Sequence, residues 1–425
     1  MIQIKIKKQN LLLSLTLLCF YIVLTYLYID TIHPIFDYKG FHLNITPLKI
    51  LESISILLLF IVPIILYLYK NSLFFFMIYL FTITQLIPDL VLYSLTNLPR
   101  LPLYCSLTPL LIALIIKNKK FKFPVVKINN KKCLLYITII SIILAIPIIT
   151  LFGTTTNWNL FLLQEIYSQR DILKSNSNLY TGYMLNWLTL ILFPIILLTS
   201  LKQKKYVFAS LSILFILYAF SISGAKGYLF SLIVLLFFYI KKKSFLHQLL
   251  ITTILLIFFL LIGNWVDHYY DYYIINALFT NRTLFLPSLI KQFYFDFFQQ
   301  NPIYLSHSIF KSIQPYPYTE SPTYLIGGTF MNNFKQNTNT GFIGDAYMNF
   351  GILGTIIYSF IVCFLFKYFE SLNIAPRYSG IFFMLILNFQ NGSLTTAILT
   401  NGLLLLIILS FLLLRNTNYK VKNNI

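Results

Sequence analysis

The chain has 425 residues, of which 58% are hydrophobic and only 10% are charged, and its formal net charge is +20. A soluble globular domain has about 25% charged residues, so this composition excludes a soluble protein and predicts an all-α protein that crosses a membrane many times. The positive charge does not indicate nucleic-acid binding, which needs a soluble basic domain. Here the basic residues lie in short runs between apolar blocks.

Apolar runs of membrane-spanning length recur along the whole chain. A helix needs about 20 apolar residues to cross the hydrocarbon core, and we expect about twelve such helices. Their predicted bounds are residues 11–29, 48–69, 72–95, 101–116, 133–152, 183–200, 206–222, 228–240, 246–264, 346–367, 378–391 and 396–414.

The positions of lysine and arginine predict the orientation, because short cytoplasmic loops carry an excess of both. Most of the 32 basic residues fall on one side if the N-terminus is cytoplasmic, including those of the loops 117–132 and 241–243. We interpret these lysine runs as topology signals. Both termini are then predicted to be cytoplasmic.

The longest segment between apolar blocks, Trp265 to Asp345, is predicted to lie on the outer side. It divides the chain into residues 1–264 with nine spans, residues 265–345 as a large outer loop, and residues 346–425 with three spans and a cytoplasmic tail. Chemistry that needs water, charge and a substrate pocket is expected in this loop.

One run of the loop, NRTLFLPSLIKQFYFDFFQQNP, has the pattern of an amphipathic helix. Phe285, Leu289, Phe293 and Phe297 follow one another at a spacing of four residues. This spacing predicts a helix that lies in the membrane interface.

The loop is also rich in aromatic residues, whose rings suit either sugar binding or an interfacial aromatic belt. Its tyrosines include Tyr269, Tyr270, Tyr272, Tyr273, Tyr294, Tyr304, Tyr316, Tyr318 and Tyr324.

Three cations on the predicted outer side are candidates for binding phosphate. Arg170 lies in SQRDILKSNSNLYTG, Lys226 lies in the small-residue turn SISGAKGYLF, and Arg282 is near the start of the amphipathic run. Arginine suits phosphate because its planar fork binds two oxygens at once. The alternative is that each cation only anchors a span end near lipid phosphates. Within the spans, Asp89 with Gln85 is the main polar pair and a functional candidate by its position.

Several short motifs carry a resemblance to a known family. Arg282, the pair Asn301 and Pro302, the pair Gly327 and Gly328, and above all NTGFIGDAYMNFGILG resemble the bacterial O-antigen polymerases. These are membrane glycosyltransferases that join lipid-linked oligosaccharide repeat units. SGAKGYLF is similar to the serine-basic-glycine turn of the wider polymerase and ligase superfamily.

The resemblance implies a reaction on the outer face of the bacterial inner membrane. A glycan on undecaprenyl pyrophosphate would be transferred to a sugar hydroxyl of a new lipid-linked repeat unit, and a chain-length regulator protein is an expected partner. Arg170, Lys226 and Arg282 would bind the departing pyrophosphate, so no metal ion or other cofactor is expected. The glycine that follows each arginine in the family pattern is displaced to Gly182 after Arg170 and replaced by Phe293 after Arg282.

The acceptor hydroxyl needs a general base within hydrogen-bond reach. Asp345, between Gly344 and the next span, is our first candidate, although an aspartate there also suits the N-cap of that helix. The further candidates for a base or for sugar binding are His307, His268, Glu165 and Tyr347.

Two other functions fit parts of the same sequence. An O-antigen ligase would use similar outer cations but would transfer the finished glycan to a lipid A core, so only the acceptor distinguishes it. A lipid-linked oligosaccharide flippase would also have about twelve spans, but it should place charges along a central cavity and needs no outer segment of this length. The segment from Trp265 to Asp345 therefore favours an enzyme.

Overall fold

The computed structural model describes residues 8–65, 71–119, 121–124, 129–153, 160, 166–308 and 311–416. All regular secondary structure in these residues is helical, which confirms the all-α fold. The helices are α1 (Lys8–Lys39), α2 (Pro47–Ile65), α3 (Leu73–Leu95), α4 (Leu101–Ile116), α5 (Asn130–Phe152), α6 (Ile166–Asn176), α7 (Leu179–Gln203), α8 (Tyr206–Ser223), α9 (Lys226–Ile240), α10 (Phe245–Tyr270), α11 (Leu286–Phe298), α12 (Pro322–Met331), α13 (Phe342–Ser371), α14 (Ser379–Asn391), α15 (Leu394–Ile398) and α16 (Leu403–Leu414). A π-helical segment, Asn276–Phe285, leads directly into α11.

Eight of the described helices are long and apolar enough to cross a membrane, namely α1, α2, α3, α5, α7, α8, α10 and α13. Three shorter apolar helices, α4, α9 and α16, coincide with other predicted spans. The chain is therefore a multi-pass membrane protein, as expected, and the count of twelve spans stays a prediction.

Local sequence signals explain where several helices begin and end. Ser72 and Ser244 each accept a hydrogen bond from a first-turn N–H group, of α3 and α10 respectively, as N-cap residues do. Helix α8 ends before Gly224, whose φ of 59° is left-handed. Glycine takes this conformation without strain because it lacks Cβ.

The last predicted span, residues 396–414, is not one continuous helix. Helix α15 ends at Ile398 and α16 begins at Leu403, with Gly402 at a left-handed φ of 75° between them. The prediction of one uninterrupted span over residues 396–414 is therefore wrong. An apolar run has the same composition whether or not the backbone turns within it, so hydropathy does not reveal the break.

Helix α13 also contains a break, where Phe350 and Gly351 leave the helical backbone conformation. The backbone N–H of Ile303 donates to the carbonyl of Met348 at 3.0 Å, and the next N–H along the chain donates to the carbonyl of Asn349 at 3.2 Å. The segment after α11 therefore satisfies carbonyl groups beside the break. Such pairing is needed because unsatisfied backbone groups are costly in a membrane protein.

The described helices form two compact units. The first contains α1 to α4, α10 to α12, α13 up to residue 367, and residues 389–394. The second contains α5 to α9, residues 368–388 and the described residues from 395 onwards.

Helix α3 is the core of the first unit. Every residue from Leu73 to Leu95 is buried. A helix that is apolar all round belongs in the interior of a bundle, and α3 contacts α1, α2, α4 and α11.

Helix α11, which the sequence predicted to lie in the membrane interface, is covered by protein over most of its length. All residues from Pro287 to Phe295 are buried. Leu289 and Phe293, two of the apolar residues at a spacing of four, therefore pack against protein in this structure.

A buried ion pair joins α11 to α3. The Lys291 ammonium pairs with the Asp89 carboxylate and donates to the Ser106 hydroxyl of α4 at 2.6 Å. Gln85 donates to the same carboxylate at 3.2 Å. The side chains of Lys291 and Asp89 are 3% and 1% exposed, so each charge depends on these partners in place of water.

Within the second unit, close packing joins α7 to α8 and α9 to α14. The rings of Phe193 and Phe215 are stacked with centroids 4.4 Å apart. A Cβ on Gly380 would lie 2.9 Å from the Cα of Leu235. The approach of α14 to α9 therefore requires glycine at this position.

Loss of one partner of the buried ion pair should destabilise the first unit. In Asp89→Asn or Lys291→Met the remaining charge stays buried without its counter-charge. We expect the free energy of unfolding to fall by about 3–5 kcal/mol, measured by thermal or denaturant unfolding of the purified protein in detergent.

Two further variants make this test specific. The double variant Asp89→Leu with Lys291→Met removes both charges and should recover most of the lost stability. Arg100→Met breaks the exposed ion pair with Glu52, 3.0 Å across, and should change unfolding little because exposed pairs contribute little. Single Asp89 or Lys291 variants as stable as wild type would contradict the assigned role of the pair.

Candidate functional site

An aspartate of α1 and a histidine of α10 form a pair in the first unit. The Asp30 carboxylate lies in the π-helical turn Tyr28–Ile32 of α1, and its Oδ2 is 2.9 Å from Nε2 of His268. The other ring nitrogen of His268, Nδ1, is 3.2 Å from the Tyr273 hydroxyl. The side chains of His268 and Asp30 are 40% and 30% exposed. The imidazole is therefore oriented at both nitrogens and still accessible.

Asparagine and threonine side chains extend this pair into the interior. Asn264 donates to Asp30 Oδ2 at 2.8 Å, and its own Oδ1 accepts from Thr31 at 2.6 Å and from the Asn276 amide at 2.9 Å. Asn276 in turn accepts from Thr280 at 2.9 Å. A continuous hydrogen-bond network therefore joins Asp30 to the π-helical segment Asn276–Phe285.

The start of this π-helical segment is fixed by Asp267. Its two carboxylate oxygens accept the backbone N–H groups of Ile275 at 3.1 Å and Asn276 at 2.6 Å. A carboxylate at the beginning of a helix satisfies free N–H groups and favours the helix dipole. Asp267 is one residue before His268, so the same turn of α10 orients the imidazole and the segment.

Arg282 lies on this π-helical segment and is exposed. Its guanidinium makes no hydrogen bond or ion pair with any residue that the structure describes. The residues on either side are fixed: Asn281 is 1% exposed, and the Thr283 carbonyl accepts from Gln390 Nε2 at 2.9 Å. Gln390 also donates to the carbonyl of Thr84 at 2.7 Å. The structure therefore presents a free guanidinium on a fixed backbone, which is an arrangement suited to binding an anion.

Asp345, the first candidate for a general base, is fully buried within α13. One oxygen accepts from Asn349 Nδ2 at 3.0 Å, and the other accepts the backbone N–H of Leu394, at the start of α15, at 3.1 Å. Asn349 also accepts the N–H of Leu305 at 2.7 Å. Because α13 begins at Phe342, Asp345 does not cap its own helix; it caps α15. The Asp345 side chain therefore links α13 to the start of α15.

The remaining base and sugar-binding candidates have different environments. Tyr347 is 5% exposed and its ring stacks on Phe295 with centroids 3.8 Å apart, so it packs in the interior. His307 is half-buried, and its ring lies 6.2 Å from that of Tyr316. Burial lowers the pKa of the His307 imidazole below its ordinary value. Glu165 lies outside the described residues.

The other two candidate cations belong to the second unit, where α6 contacts the turn between α8 and α9. Arg170 donates to the carbonyl of Gly224 at 3.3 Å, and Gln169 donates to that of Ile222 at 3.1 Å. Lys226 is the first residue of α9 and is half-exposed. The structure thus joins Arg170 to the turn that carries Lys226, while Arg282 belongs to the first unit.

Three residues of this site, Asp30, Asn264 and Asn276, were not predicted from the sequence. The available signal was weak: Asp30 and Asn264 are single polar residues at the ends of apolar runs. The partners in the Asp30–His268 pair are 238 residues apart in the chain, so no local motif indicates it. Comparisons with protein families, with characterised proteins and with solved structures find no match for the chain.

Replacement of Asp345 should lower stability, as expected for a bridging residue. Asp345→Ala leaves the buried Leu394 N–H without its acceptor, while the Asn349 amide keeps only the Asp345 backbone carbonyl. A buried donor without a partner costs about 1–3 kcal/mol. Thermal unfolding of the purified protein in detergent measures this loss. Asp296→Ala, at an exposed aspartate of α11, is the control. Equal unfolding temperatures for Asp345→Ala and wild type would contradict the bridging role.

Proposed function

We propose that this protein is a membrane glycosyltransferase of the O-antigen polymerase type. It joins undecaprenyl-pyrophosphate-linked oligosaccharide repeat units into a surface polysaccharide, either O-antigen or capsule. The observation that carries the proposal is one polar network that joins the accessible imidazole of His268 to the π-helical segment on which the accessible Arg282 lies. The motif from Asn339 to Gly354, which resembles the polymerases, supports it.

In this reaction the acceptor hydroxyl attacks the anomeric carbon of the donor glycan. A new glycosidic bond forms, the bond from the anomeric carbon to the pyrophosphate oxygen breaks, and the lipid carrier leaves with its pyrophosphate. The hydroxyl proton passes to a base. The Arg282 guanidinium neutralises the charge that develops on the leaving pyrophosphate, so the proposal requires no metal ion or cofactor.

The geometry favours His268 over Asp345 as the base. When Nε2–H of His268 donates to Asp30, Nδ1 is the nitrogen that can accept a proton. The Tyr273 hydroxyl, 3.2 Å from Nδ1, then occupies the place that the acceptor hydroxyl would take. Asp30 orients the ring and stabilises the imidazolium that forms, as the aspartate does in other histidine–aspartate pairs. Asp345, by contrast, is buried with both oxygens engaged.

The proposed location is the inner membrane of a bacterium, with both termini in the cytoplasm and the outer segment in the periplasm. The distribution of lysine and arginine supports this orientation. A chain-length regulator protein is the proposed protein partner. Pyrophosphate binding by Arg170 and Lys226 is part of the same proposal, and the turn that they share in the second unit supports it.

Loss of either accessible group should abolish or strongly reduce polymerisation without removing the protein from the membrane. In a strain that lacks the gene, plasmid-borne wild type should restore the ladder of surface polysaccharide on a gel. Arg282→Ala should leave a single repeat unit on the lipid A core. His268→Ala should reduce polymerisation on the order of a hundred-fold, a typical contribution of a general base. Membrane levels are checked by immunoblot.

The control is Lys311→Ala, at an exposed cation of the same outer segment, which should give a normal ladder. A normal ladder from Arg282→Ala would exclude the pyrophosphate-binding role. If the strain without the gene shows lipid A core that carries no repeat unit at all, the protein is a ligase or a flippase. The side of the membrane on which lipid-linked units accumulate then separates these two.

A further inference from the structure

We propose that four aromatic side chains of the outer segment, Phe297, His307, Tyr316 and Tyr318, form a saccharide-binding surface. We call them the ring cluster. This inference rests on the proposed function, because the saccharide would be the acceptor repeat unit held near the enzyme during transfer.

The ring cluster is assembled from two parts of the chain, the end of α11 and the residues that follow it. The Tyr318 ring lies 5.6 Å from that of Phe297 and 5.5 Å from that of Tyr316, measured between centroids. The His307 ring is 6.2 Å from Tyr316. Each ring therefore contacts the next, and together they make a connected aromatic surface.

Two contacts hold this surface in place, one to a buried ring and one to the backbone. Phe298, which is 1% exposed, contacts Tyr318 edge-on at 6.1 Å. The Tyr316 hydroxyl donates to the backbone carbonyl of Glu320 at 2.9 Å. The rings are thus fixed before a ligand arrives, which reduces the entropic cost of binding.

The ring cluster differs from the packed aromatic residues of the same unit in its exposure. All four of its side chains are half-exposed, whereas the core rings Tyr93 and Tyr294 are each 1% exposed. Rings that served only to pack the interior would be covered in the same way. The ring cluster therefore offers both contact area and solvent access.

Some polar atoms of the ring cluster have no partner among the residues that the structure describes. They include Nδ1 of His307, which is shielded from solvent, and the Tyr318 hydroxyl. A shielded polar atom without a partner is unfavourable, so a ligand hydroxyl or an ordered water is expected beside His307. Burial lowers the pKa of His307, so it favours the neutral imidazole, which can accept a hydrogen bond.

These features match the chemistry of a neutral sugar. A pyranose has an apolar C–H face that packs on an aromatic ring and a rim of hydroxyls that need hydrogen bonds, and binding sites commonly combine the two kinds of contact. Burial, with the nearby Tyr318 hydroxyl and Glu320 carboxylate, raises the pKa of the Tyr316 hydroxyl. An anionic ligand such as a phosphate fits less well, because the Glu320 carboxylate repels it.

Binding of saccharide by the purified protein tests this proposal. The probe is a set of oligosaccharides released from the host strain's own surface polysaccharide by partial acid hydrolysis. The protein is placed in nanodiscs, and binding is followed by saturation-transfer-difference NMR. We expect wild type to bind, and Tyr318→Ala to bind more weakly on the order of ten-fold, as loss of one stacking contact implies.

Two more variants separate the parts of the effect. Tyr272→Ala removes an exposed tyrosine, 67% exposed, that lies outside the ring cluster, and it should bind as wild type does. Tyr318→Phe keeps the ring and should bind more strongly than Tyr318→Ala. Unfolding temperatures near wild type show that both Tyr318 variants are folded.

The outcomes distinguish this inference from the proposed function. Oligosaccharide binding that Tyr318→Ala leaves unchanged, or no binding by wild type, overturns the saccharide surface. If Tyr318→Ala instead weakens binding of the protein to vesicles that contain anionic lipid and has no effect on oligosaccharide binding, the rings belong to an interfacial belt. That result also overturns the saccharide surface. If Tyr318→Ala loses binding while the strain without the gene keeps a normal ladder, the saccharide surface stands and the polymerase proposal fails.

Discussion

The buried ion pair between Asp89 and Lys291 is the interaction on which the candidate site depends. Two charges that are almost fully shielded from water are stable only if they remain together with their hydrogen-bond partners. This constraint fixes α11 against α3 and α4. The residues before α11 carry Arg282, and the end of α11 carries Phe297 of the ring cluster. One electrostatic contact therefore positions the proposed anion-binding and saccharide-binding groups together.

The rest of the first unit positions its outer segment by satisfying polar groups. Asp267 holds the start of the π-helical segment, and Asn264 connects that segment to the pair of Asp30 and His268. Asp345 holds the start of α15 in the same manner. Each of these polar residues is less than 5% exposed, except the accessible pair itself. Buried polar groups in a membrane protein are costly unless they are paired, and these hydrogen bonds hold the segments of the site together.

The sequence predicted the fold better than the site, for physical reasons. Span length and apolarity are local properties, so the predicted span 72–95 agrees with α3 (Leu73–Leu95) within one residue. The ion pair of Lys291 joins residues 202 positions apart, so no local pattern of the sequence indicates it. The SGAKG turn was located correctly because glycine conformation is also a local property. The contact between this turn and Arg170 was not predicted.

Polymerisation by the isolated protein is the most direct test of this account. The purified protein in lipid vesicles is given lipid-linked repeat units as both donor and acceptor, and the products are separated by size. The account predicts a ladder of longer glycans, with one undecaprenyl pyrophosphate released for each new linkage. Repeat units that remain single, or that are transferred only when a lipid A core is supplied, would contradict it.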